Sequence, residues 1–123
     1  MIETNKMPLS QYFELLEKRE ILQVAFVQDY FELWFDRGYI RPLWKTVLRN
    51  DEGAFHEPQK SMEGCWHLVN LINTHATELE ETNDERIIVC FDNGAQVEAR
   101  NDEKGPPGDC FQIRVEGYPC QFI

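Results

Sequence analysis

Phe35-Asp36-Arg37-Gly38 and Phe91-Asp92-Asn93-Gly94 repeat one pattern of residues 56 positions apart. Tyr30-Phe31-Glu32-Leu33-Trp34-Phe35 leads into the first copy and Arg86-Ile87-Ile88-Val89-Cys90-Phe91 into the second. Tyr39-Ile40-Arg41 and Ala95-Gln96-Val97-Glu98-Ala99-Arg100 follow them. Asn-Gly between β-rich runs predicts a two-residue hairpin turn, because both central residues of a type I′ turn need φ > 0. Arg37-Gly38 fits that turn less well and suggests instead a bulged loop with Gly38 in the left-handed position. The chain therefore reads as two β-hairpin modules of similar design.

Outward from these turns, the first module is preceded by a helical pattern over 8–20, with Leu9, Tyr12, Phe13 and Leu16 at helical spacing and Pro8 suited to its start. A β-meander is expected over 22–47, with strands near 22–27, 30–35 and 39–47. Arg49-Asn50-Asp51-Glu52-Gly53 reads as a turn, followed by irregular chain to Lys60. A second helix is expected over 62–74, capped by Ser61, with Glu63 in its first turn and Cys65, Leu68, Val69 and Ile72 forming its inward stripe. A β region over 76–122 follows, with strands near 76–81, 86–91, 95–100, 110–115 and 118–122. It is interrupted by a polar loop at 101–109 containing Gly105-Pro106-Pro107-Gly108. Helix-then-strands twice over, without β-helix-β alternation, predicts a single α+β domain over 1–123 whose strands pair largely antiparallel under the two helices.

The composition narrows the function classes. Eight Phe, four Tyr and three Trp in 123 residues suit a packed core, and no apolar run reaches the length of a membrane span. Met1-Ile2-Glu3-Thr4-Asn5-Lys6 lacks the pattern of a secretory signal, so a cytoplasmic location is expected. Cys65, Cys90, Cys110 and Cys120 lie singly among apolar neighbours and form no C-x-x-C pair. They read as reduced, buried thiols, with no metal and no cofactor expected. The net charge of −10 is uneven: residues 1–60 carry ten acids against eight bases, and residues 61–123 carry twelve against four. Such a field repels nucleic acid and favours a basic protein partner, although acidity also serves plain solubility.

Catalytic patterns are weak. His56-Glu57 resembles an acid–base pair but reads better as surface loop, His67 as the flank of the second helix, and His75 as a helix C-terminal residue. Asp109-Cys110 follows the Gly-Pro loop, where a nucleophilic thiolate would want a base or an electropositive setting. Asp36 and Asp92 are accounted for by turn chemistry. No Walker loop, G-x-G-x-x-G or nucleophile elbow is present. A non-enzymatic protein is therefore the leading expectation, with a small enzyme built around His56, Asp109 or Cys110 behind it.

The most suggestive surface is Glu78-Leu79-Glu80-Glu81-Thr82-Asn83-Asp84-Glu85, five acids in eight positions. It is a solvated strand end and loop, or a mimic of the phosphate pattern read by a nuclease's basic cleft. Asp102, Glu103 and Asp109 are expected to add to the same field. A short acidic α+β chain with Asp29-Tyr30-Phe31-Glu32-Leu33-Trp34-Phe35-Asp36-Arg37-Gly38 early and Ile88-Val89-Cys90-Phe91-Asp92-Asn93-Gly94 later resembles small bacterial immunity proteins of contact-dependent growth inhibition and other polymorphic toxin systems. The resemblance covers the two hairpin segments and the general plan. It implies an inhibitor that binds and neutralises a cognate toxin domain, with no nucleic acid or membrane partner. Glu78, Glu80, Glu81, Asp84, Glu85, Asp102, Glu103 and Asp109 are the expected contact residues, and an adaptor with another protein partner is the alternative.

Overall fold

A computed structural model of the chain describes residues 8–27, 30–43, 45–58, 61–82, 86–100 and 111–122, with only the backbone described at 45, 121 and 122. The first half holds α1 (Leu9–Leu16), β1 (Gln23–Val27), β2 (Tyr30–Phe35), β3 (Gly38–Pro42), β4 (Lys45–Arg49) and β5 (Phe55–His56). The second half holds α2 (Met62–Val69), β6 (Ala76–Glu81), β7 (Arg86–Phe91), β8 (Gln96–Arg100), β9 (Phe111–Val115) and β10 (Gln121–Phe122). The α+β, antiparallel architecture expected from the sequence forms, and its strands divide between two sheets. One runs β1-β2-β3-β9-β10 and the other β6-β7-β8-β4-β5.

Those two orders show reciprocal exchange. Each half builds a three-stranded meander of its own and then sends its last two strands to the other half's sheet. β4 pairs with β8, aligning Leu48 with Val97, and β9 pairs with β3, aligning Ile113 with Ile40. The helices follow the same rule: α1 touches β6 and β9, and α2 touches β1 and β4. The strand expected over 39–47 splits because Pro42 has no N–H to continue a ladder; the chain leaves one sheet there and enters the other at Lys45.

The halves meet at a pair of crossing segments. Glu20 and His75 form an antiparallel bridge. Around it the Ile21 N–H donates to the Thr74 carbonyl and the Ala76 N–H to Arg19, while the Lys18 N–H donates to Ala76 and the Asn73 N–H to Ile21. Lys18 and Asn73, 55 residues apart, are the two non-glycine residues with positive φ among the described residues, at 68° and 75°. Each bond on one side thus has its counterpart on the other, which makes the repeat a twofold arrangement of backbone and not only of sequence. This pairing also corrects both helix lengths. α1 stops at Leu16, since Glu17 turns extended (ψ 142°) and 18–21 joins the crossing; α2 stops at Val69, and 70–75 feeds the same crossing. His75 consequently lies at a strand entry and not at a helix end.

Both hairpins form where expected, with different turns. At the second, the Gly94 N–H donates to Phe91 and the Phe91 N–H to Ala95, and only Gly94 (φ 91°) is left-handed. That is a three-residue loop with a bulge and not the type I′ turn predicted. At the first, Phe35 pairs directly with Gly38, and Gly38 is not left-handed. Glycine is needed there for proximity: an added Cβ would lie 1.9 Å from the Arg114 carbonyl oxygen on β9.

Alternate residues of β7, β8 and β9 point inward (Ile87, Val89, Phe91; Val97, Ala99; Phe111, Ile113, Val115) and join Phe31, Leu33, Phe35, Ile40 and Leu48 in one continuous core. Tyr12, Phe13 and Leu16 of α1 and Leu68 of α2 belong to the same core. The inward stripe of α2 differs from the one expected. Gly64 and Leu68 are buried, whereas Cys65, Val69 and Ile72 are half-buried, because Gly64 sets the close approach: a Cβ there would lie 2.6 Å from the Glu57 carbonyl oxygen.

Candidate functional site

β6 is an edge strand of its sheet, bordered by residues 17–19: Ala76 bonds the Lys18 and Arg19 backbone, and the Leu79 N–H donates to the Glu17 carboxylate at 3.5 Å. A bulge between Ala76 and Glu78 interrupts the strand's alternation, so that Ala76 and Leu79 are both buried while Thr77, Glu78, Glu80 and Glu81 are exposed. Glu78 and Glu80 stand beside Cys90 and Ile88 on the outer face; Glu81 stands beside Ile87. Among the described residues none of the three carboxylates has an ion pair or hydrogen bond. Their field reaches the neighbouring thiol: burial first, then the Glu78 and Glu80 carboxylates, push Cys90 above the ordinary thiol pKa. Charged edges of this kind also discourage strand addition by other chains. Asp84, Glu85, Asp102, Glu103 and Asp109 lie outside the described residues.

The other acids of the two sheets behave differently. On the outer face of the β6 sheet, Arg86 and Arg100 are ladder partners on β7 and β8, and both bind Glu98: Arg86 at 2.7 Å and Arg100 at 2.8 Å through Nε and 2.7 Å through its terminal nitrogen. Glu98 separates two like charges that would otherwise repel directly across the ladder. A shallow cleft beside it is bordered by Arg49, Phe55 and Arg100. The corresponding face of the first sheet inverts these charges. Arg41 sits at the centre and donates to Glu32 (2.7 Å), Gln112 (2.6 Å) and Tyr39 (3.2 Å), while the Trp34 indole donates to the second Glu32 oxygen at 2.9 Å. The Tyr30 and Tyr39 rings flank the guanidinium at 5.1 and 4.9 Å. Glu32 is 8% exposed, a buried charge fully supplied with donors. Sequence reading missed both networks. The alternation of Gln96, Glu98 and Arg100 assigns them to one face, and the β7–β8 hairpin brings Arg86 beside them, but the strand that supplies Gln112 to Arg41 depends on the exchange.

The two turn aspartates are structural. Asp36 accepts two bonds from one Arg19 nitrogen at 3.0 and 2.9 Å; Asp92 accepts from the His75 backbone N–H and lies 3.1 Å from its imidazole. The His75 backbone N–H, and after it the imidazole, hold the Asp92 carboxyl below its ordinary value. His56 lies on β5 and not in a loop, with its ring 4.2 Å from that of His67 on the flank of α2. Cys65, Cys90 and Cys120 are free and half-buried, and Cys110 is outside the described residues. Apolar contact surface is present as well: Trp66 is 61% exposed and Met62 87% exposed, one helical turn apart on the outward side of α2. None of the chain's helices, within the described residues, is long and apolar enough to cross a membrane. Comparison with protein-family models, curated proteins and solved structures finds no match to this chain.

Proposed function

We propose that this protein is a non-enzymatic inhibitor of the immunity type, which binds a basic bacterial toxin domain in the cytoplasm through the acidic edge at β6. The observation that carries the reading is the division of its acids. Glu32, Asp36 and Glu98 are tied to arginines, whereas Glu78, Glu80 and Glu81 stand together on an exposed edge with no internal partner among the described residues. Carboxylates free of internal cations retain their full field for an incoming one, and such fields accelerate association with a partner of opposite charge. The resemblance of the hairpin segments to immunity proteins supplies the partner class. An adaptor with a different partner is favoured by one observation, the exposed Trp66 and Met62, since large apolar side chains anchor protein interfaces.

The test is capture of the partner from the native host, followed by inhibition and binding kinetics. An immunity protein recovers a toxin domain and abolishes its activity at one-to-one stoichiometry. The triple variant E78Q/E80Q/E81Q should associate more slowly and with a shallower salt dependence, while W66A leaves the on-rate unchanged. A captured partner whose activity persists in the complex would make the chain an adaptor. An on-rate altered by W66A but not by the triple variant would move the interface to α2.

A further inference from the structure

His56, Glu63 and His67 converge from two elements. One ligating atom from each lies within 4.8 Å of the others, and the His67 Nε2 is 3.8 Å from a Glu63 carboxylate oxygen. We infer that these three residues form a binding site for a late first-row divalent metal ion, with zinc the best fit. Two imidazoles and one carboxylate form a donor set that zinc takes in tetrahedral geometry, leaving one position open. Zinc's bond lengths place neighbouring ligand atoms about 3.4 Å apart, so binding draws these side chains in from spacings of up to 4.8 Å.

The frame holding these side chains is tied together by backbone pairing, a helix cap and close packing. His56 is paired to Leu48 in the β4–β5 ladder. α2 is capped by the Ser61 hydroxyl, which accepts from the Gly64 N–H at 3.0 Å, and is seated against the chain leaving β5 by the absence of a side chain at Gly64. Glu63 and His67, one turn apart, therefore share the flank of the helix that faces β5. The imidazoles already lie 4.2 Å apart with planes tilted by 30°. The Asn50 amide nitrogen lies 3.4 Å from the His56 Nε2, and the amide's orientation is set because its oxygen accepts from the Glu52 and Ala54 N–H groups. An ion ligated through Nε2 replaces that long contact. Bound metal would join β5 to α2 and stabilise the folded chain by mass action. The open position faces water or a side chain of a bound protein.

The experiment is titration of Zn²⁺ into the reduced, chelator-washed full chain by calorimetry, with Co²⁺ absorption as a second readout. The expected result is saturable one-to-one binding, a higher Tm, and a tetrahedral cobalt spectrum without a thiolate charge-transfer band. E63Q changes an exposed side chain and leaves the fold intact; it should weaken binding at least about tenfold, since even outer-shell partners of a metal are worth that much. H67N should weaken it further, and H75N should leave it unchanged. Absence of saturable binding, undiminished binding in E63Q, or a thiolate band would overturn the site.

Discussion

The two halves of this chain build the same scaffold and decorate it oppositely. From α1 to β5 and from α2 to β10 the elements run in the same order, and each half lends its last two strands to the other. On the outer faces, Arg41 is surrounded by Glu32, Gln112 and aromatic rings in one sheet, while Glu98 is clamped by Arg86 and Arg100 in the other. On the edge strands, β1 carries Gln23, Ala25, Phe26 and Val27, whereas β6 carries Glu78, Glu80 and Glu81. Inward positions are held alike by the demand of close packing in a shared core. Outward positions answer only to solvent and to partners, and there the halves diverge.

The largest effects should test whether the halves form one cooperative unit. Leu48→Ala and Ile113→Ala each remove a fully buried side chain from an exchanged strand. Each should cost about 2–5 kcal/mol in urea denaturation, by lost burial and the cavity left behind. Both should melt in a single transition, because each strand completes the opposite sheet. Two separable transitions in either variant would show the halves folding independently.

The paired glycines give a sharper contrast. Gly38→Ala places a methyl group against the Arg114 carbonyl oxygen, so β3 and β9 must part, at a cost of about 3 kcal/mol. Gly94→Ala meets nothing closer than 3.5 Å and bears only the left-handed backbone, about 1 kcal/mol. Equal losses from the two substitutions would mean that the same turn serves both hairpins.

The smallest expected effect concerns pH. The folded-state pKa of Asp92 is depressed, so its contact with His75 contributes stability above the unfolded aspartate value of about 3.9 and loses it as pH falls through the folded pKa. Asp92→Asn should therefore lower Tm at neutral pH, with the difference from the wild type shrinking in acid below about pH 4. A difference that persists undiminished at pH 2 would assign the effect to packing and not to charge.

The sequence alone determined a good deal. Alternation placed β2, β7, β8 and β9 within a residue or two, the matched Phe-Asp turns located both hairpins, Ser61 marked the start of α2, and the glutamate run marked the exposed side of β6. These are local signals, carried by side-chain period and turn chemistry over a few residues. Only tertiary structure decided that α1 and α2 stop early, since residues 18–21 and 73–76 satisfy their backbone bonds with each other and not within helices. It alone decided that β4 and β9 change sheets, that Gly38 is required by Arg114, and that Arg41 meets Gln112. Each of those contacts joins residues whose separation in the chain bears no fixed relation to any local period. Their partners follow from the exchange of strands between the halves, which buries both sheets against one core.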